Sequence, residues 1–125
     1  MSLKSLRAMS ILNVLTMLMQ SVFAGRLIGG DAQALHLHEA TAQVLVLVAC
    51  GLLLPAVSLR MQGHCPVWVP LAASGLLASE VLEFAAGHLH HVAVHVPLGV
   101  AIFGGALRLL FWSVREASAS RQLES

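Results

Sequence analysis

Charge is what this 125-residue sequence has least of: Asp, Glu, Lys and Arg together make up 10% of it, against about a quarter in an average soluble domain. A chain this short keeps a large share of its surface in contact with solvent. With so few charges it has no means of covering that surface in water, so an ordinary soluble enzyme is excluded, and so is a disordered tail. The formal net charge of +1, with no basic stripe, removes the electrostatic footprint of a nucleic-acid binder. Cysteine is scarce as well. Cys50 and Cys65 do not form a CxxC pair, and both are expected toward or on the reducing side of a membrane, which argues against a disulfide and against a quinone-reducing thiol enzyme. Dinucleotide fingerprints, phosphate loops and nucleophile–base arrangements are all missing. What the sequence has in abundance is apolar residues, at 58%, with a mean hydropathy of +0.83. The class that remains is a small polytopic membrane protein. Within it, seven histidines stand against six acids. Histidine is expensive inside a bilayer, so that excess needs an explanation.

Spanning helices need about 20 mostly apolar residues. Four such runs are present, at about Met9–Ile28, His38–Leu59, Val67–Gly87 and Val92–Val114, joined by short links. Short links make neighbouring helices antiparallel. The expected architecture is an all-α, four-transmembrane-helix antiparallel bundle over residues 9–114, preceded by a short N-terminal segment, 1–8, and followed by a polar tail, 115–125, expected to fray. The first run reads as a retained span and not a cleaved leader, because its removal would leave three spans with an unpaired face. Lys4, Arg7, Arg60, Arg108, Arg115 and Arg121 fall on one side and Arg26 alone on the other. The positive-inside rule therefore places both termini in the cytoplasm of a multi-pass cell-membrane protein. Trp68 and Trp112, near the cytoplasmic ends of spans three and four, fit an aromatic belt.

This topology sorts the histidines. His36, His38, His88, His90, His91 and His95 collect at the outer face, and only His64 is cytoplasmic. Spans two and four run in the same direction, and each opens on a histidine, in His38-Glu39-Ala40-Thr41-Ala42 and in His95-Val96-Pro97-Leu98-Gly99. A Phe-Ala-rich helix end precedes each, at Phe23-Ala24-Gly25 and Phe84-Ala85-Ala86-Gly87. The chain reads as two similar helical hairpins about an axis along the membrane normal. His38 and His95 would then face each other across the bundle at equal depth. Two imidazoles from opposing helices suit both axial positions of a haem iron, and four-helix bundles commonly build cofactor sites from inward side chains on facing helices. Gly25, Gly99, Ala42 and Ala101 are candidates for the close approach of a flat macrocycle, and Arg26 for pairing with a propionate. His36 is the alternative ligand to His38.

The stretches Gln20-Ser21-Val22-Phe23-Ala24-Gly25-Arg26-Leu27 and His38-Glu39-Ala40-Thr41-Ala42, and later Leu89 to Leu110 with His95-Val96-Pro97-Leu98-Gly99-Val100-Ala101, resemble one half of haem A synthase. Small actinobacterial-type integral membrane proteins share the same histidine layout. In the haem A synthase family each half is a four-helix bundle, with haem-ligating histidines at the starts of its second and fourth helices. The resemblance covers about Asn13 to Trp112 and implies axial-ligand roles for His38 and His95. This chain has one half instead of two, and Glu83 where the family tends to have Gln. The expectation is a b-type haem protein with an electron-transfer or redox role, its enzyme class, if any, a haem-dependent membrane oxidoreductase. Its partners would be the lipid bilayer and a membrane redox protein or quinone, with a homodimer compatible.

Two rival readings stand beside it. His91 and His95 have i, i+4 spacing, and with His88 and His90 they form a candidate outer-face Zn or Cu site. Glu83 and Glu80 lie one and two turns below the outer end of span three, on one helix face. Carboxylates at that depth are functional candidates by default, either as a proton relay or as the carboxylates of a small proton-coupled transporter. Gln20 is read as packing or bonding across helices.

Overall fold

The computed structural model describes the chain from residue 2 to residue 122, with side chains through residue 116. It contains four helices: α1 (Leu3–Ile28), α2 (Ala34–Met61), α3 (Trp68–His88) and α4 (Val92–Gln122). All four are long and apolar enough to cross a membrane. Their ends differ from the sequence reading. α1 starts before Met9 because Ser2 caps it, its hydroxyl accepting from the Ser5 backbone N–H at 3.3 Å, which fulfils one of the donors a helix start leaves open. α4 continues past Val114 to Gln122. The residues beyond Val114 include good helix formers such as Arg, Glu and Ala, and no Gly or Pro.

Apolar surroundings offer no water to backbone or hydroxyl groups. The hydroxyls inside the helices accordingly bond back to their own helix: Ser10 to the Leu6 carbonyl at 2.9 Å, Thr16 to Leu12 at 2.8 Å and Ser21 to Met17 at 3.1 Å. The three connections close in the same way. A residue in the left-handed region follows each helix, and the next N–H reaches five residues back. These residues are Gly30 (φ 95°), Gly63 (φ 73°) and His90 (φ 59°), and the bonds are Asp31 N to Arg26 O, His64 N to Leu59 O and His91 N to Ala86 O. This is the helix-ending geometry that favours glycine.

The helices form a square. α1 packs on α2 and α4, and α3 packs on α2 and α4. The diagonal pairs, α1 with α3 and α2 with α4, make no close backbone approach. The core is made by Leu6, Val14, Leu45, Leu52, Ala56, Val69, Ala73, Leu76, Ile102 and Leu109, while Leu15, Leu47, Leu54, Leu71, Leu82 and Val100 point outward. A water-soluble bundle would not leave such residues exposed in number; a bilayer accepts them. One end of the bundle carries the two hairpin tips (the histidine end). The other carries Trp68 and Trp112, stacked edge to face at 5.6 Å, with the Arg108 guanidinium 5.2 Å from the Trp68 ring. A groove of about 410 Å³ runs along the α3–α4 seam between Ser79 and Arg108 and does not include the histidines.

Candidate functional site

His38 lies one turn inside α2 and His95 one turn inside α4. Because the helices form a square, these two residues share a diagonal. Their ring centroids are 6.1 Å apart and the ring planes meet at 76°. Each ring is held by the helix that precedes it in its own hairpin. His38 Nδ1 donates to the Gln20 carbonyl of α1 at 3.3 Å, and His95 Nδ1 donates to the Glu83 carbonyl of α3 at 3.1 Å. A carbonyl oxygen only accepts, so Nδ1 carries the hydrogen in both rings, and a neutral ring keeps its lone pair on Nε2. This is the arrangement by which outer partners orient ligating histidines.

Further groups fix the two rings. Glu83 Oε1 lies 3.1 Å from His95 Nδ1, so the Glu83 residue contacts that nitrogen through both its backbone and its carboxyl oxygen. Glycine lets the backbone come close beside them. A Cβ on Gly87 would fall 3.0 Å from His95 Cε1, and one on Gly99 would fall 2.9 Å from Glu83 Oε1. On the α2 side, the Thr41 hydroxyl donates to Gln20 Oε1, which ties the residue whose carbonyl holds His38 to α2. Gln20 therefore bonds across helices, as its place in span one suggested.

Other candidate residues lie elsewhere. His36 is exposed, two residues from the half-buried His38, and does not share the diagonal. His88, His90 and His91 are exposed on the hairpin tip. Among the described residues no three His, Cys, Asp or Glu side chains gather closely enough to hold a metal, so the fold does not assemble the His88–His95 cluster, because the His95 ring turns inward to Glu83. Arg26 is engaged with Asp31, its Nε donating to Oδ2 at 3.0 Å, across the turn that ends α1. That hydrogen bond, with the guanidinium charge, holds the Asp31 carboxyl below the usual carboxylate range. Gly25 faces open space, with nothing near its Cα that would exclude a larger residue. Both cysteines are free. Cys65, in the α2–α3 connection, is buried with Sγ 3.8 Å from the Ala56 carbonyl, and burial pushes its thiol up.

Glu80 and Glu83 share one face of α3 but have different partners. Glu83 meets His95. Glu80 is 2% exposed and accepts from Asn13 Nδ2 of α1 at 2.9 Å. The sequence reading did not single out Asn13. The available signal was an amide in the middle of an apolar span, where an unpaired polar group costs enough to require a partner.

No family model, no curated protein and no solved structure matches the chain. The resemblance of its two histidine-led helices to a half of haem A synthase therefore rests on short motifs alone.

Proposed function

We propose that the protein is an integral membrane b-type haem protein in which His38 and His95 are the two axial ligands, with an electron-transfer or redox role. The observation that carries this reading is the facing pair of imidazoles, each with Nδ1 tied to a carbonyl and Nε2 free. The ring centroids are 6.1 Å apart, and His38 and His95 would be the residues that hold a haem iron between the two hairpins. Bound iron would supply one-electron chemistry. The chain's own residues orient the ligands: the Gln20 carbonyl for His38, and the Glu83 carbonyl and carboxyl for His95. A carboxylate against Nδ1–H makes a ligating imidazole more basic. His95 is thus set up as the stronger donor of the two.

The positive-inside rule supports a cell-membrane topology with both termini cytoplasmic and the histidine end outward. Donor and acceptor would be a membrane redox protein or quinone reaching that end.

The test is an optical spectrum of protein purified from haem-replete cells. A Soret band that sharpens and shifts on dithionite reduction is expected, and it should disappear in His38→Ala and in His95→Ala. Colourless protein that also fails to take up added haem overturns the reading. Bound zinc or copper in such a preparation would return the case to the outer-face metal reading.

A further inference from the structure

The bundle holds one polar pair that the histidine site does not use. Asn13 on α1 and Glu80 on α3 are 1% and 2% exposed and meet across the other diagonal, Nδ2 to Oε1 at 2.9 Å. Asn13 Oδ1 and Glu80 Oε2 are both buried without a partner. The Glu83 carboxyl, beside His95, leaves its Oε2 unpartnered as well. Within the Asn13–Glu80 pair the unfulfilled atoms are one oxygen on each residue. If Glu80 were ionised, both would be acceptors facing a dry interior with no donor, at the full cost of burying them.

Among the described residues no cation is paired with Glu80: Arg26 engages Asp31, and His95 meets Glu83. Lys4, Arg7 and Arg26 on α1, His36, His38 and Arg60 on α2, and His95, Arg108 and Arg115 on α4 make no ion pair with Glu80. Glu83, on its own helix, is turned to His95. Two oxygens do not make the shell of a metal ion, and among the described residues no third ligating side chain joins them.

We infer that Asn13 and Glu80 form a one-proton binding site, in which Glu80 is a neutral carboxylic acid whose Oε2–H donates to Asn13 Oδ1. One proton supplies the donor for Asn13 Oδ1 and turns Glu80 Oε2 into that donor. It closes a cyclic acid–amide pair with two hydrogen bonds across the α1–α3 diagonal. The site belongs to the class that hydrophobic carbodiimides modify. The acid proton passes to a carbodiimide nitrogen, and the carboxyl oxygen bonds to the central carbon. The resulting O-acylisourea rearranges to an N-acylurea, with the reagent added whole and no leaving group.

The experiment treats the full-length protein in lipid vesicles with dicyclohexylcarbodiimide at neutral pH and maps the adduct by peptide mass spectrometry. The adduct is expected on Glu80, retained in Glu83→Gln and lost in Glu80→Gln. In parallel, the infrared spectrum of Glu80→Gln is subtracted from that of the unmodified protein, and the loss of a protonated-carboxyl C=O band is expected. Loss of a carboxylate band instead, or an unlabelled Glu80, overturns the inference. Should Glu80→Gln fail to fold, the mapped adduct on the unmodified chain decides alone. Neither readout needs a cofactor, so a colourless protein that carries the adduct refutes the haem reading and leaves the proton site standing.

Discussion

The two diagonals of the square are both bridged by polar side chains, and they are bridged in opposite ways. Across α1 and α3, Asn13 and Glu80 bond directly to each other in a dry interior. Across α2 and α4, His38 and His95 face each other at 6.1 Å, and each gives its hydrogen bond to a neighbouring helix. The first diagonal closes on itself and acts as a fastening. The second keeps one nitrogen lone pair on each side free, which is what a site needs and a fastening does not. The two arrangements lie one turn apart on α3, at Glu80 and at Glu83.

The largest effect expected is a crossed one. His38→Ala should abolish the bound-haem spectrum while the cofactor-free bundle keeps its unfolding midpoint, because that ring anchors to a backbone carbonyl and lies outside the apolar core cluster. Asn13→Ala should do the reverse, removing about 1–3 kcal/mol of stability by leaving Glu80 buried without its donor while the haem spectrum persists. Unfolding of the cofactor-free protein in mixed detergent micelles, read beside the optical spectrum, checks both arms. Replacing Asn13 and Glu80 together by Leu should cost far less than Asn13→Ala, since removing both partners strands no polar group. A double replacement as damaging as the single one would show that the fastening matters for more than its hydrogen bonds.

Glycine substitutions give the next, smaller contrast. Gly87→Ala and Gly99→Ala place a Cβ 3.0 Å from the His95 ring and 2.9 Å from the Glu83 carboxyl, so each should weaken haem retention measurably, by roughly a factor of ten for about 1.4 kcal/mol of lost binding. Gly25→Ala meets open space and should leave haem retention unchanged. Equal behaviour of the three in a haem-transfer assay would remove the α3–α4 side from the site.

The smallest effect concerns Arg26 and Asp31. The Asp31 carboxyl sits below its ordinary range because of Arg26. A carboxyl with a lowered folded-state value adds stability above its unfolded value and loses that contribution as the pH falls through the folded one. The pair is solvent-exposed, so Arg26→Gln should shift the unfolding midpoint barely beyond error at neutral pH and not at all in acid. A haem affinity that falls with this variant would instead tie Arg26 to a propionate.

The helix count and their antiparallel order were legible because four apolar runs and short links leave few arrangements. The histidine pair was legible because the repeat places His38 and His95 at matching starts of parallel helices. The Asn13–Glu80 bond was not. Which residue of α1 meets which residue of α3 depends on the rotation of each helix about its axis, and one residue turns a helix by about 100°. The Arg26–Asp31 pair was not legible either, because the chain reversal after Ile28 brings Asp31 close and hydropathy does not report it. The end of α4 is hard to read for another reason: a polar stretch marks where a span ends, whereas helix propensity carries the helix on to Gln122.

The Nδ1 hydrogen bonds of His38 and His95 never leave their own hairpins. Each hairpin is therefore a complete holder for one imidazole and half of nothing else at that end. Orientation is settled locally, and only the distance between the rings awaits the docking of the two hairpins. A chain severed in the Gln62–Val67 connection would produce two fragments, each with a correctly poised ring, and colour would develop only where the fragments had found each other. The cofactor would then serve as an indicator of assembly, blind to either half alone.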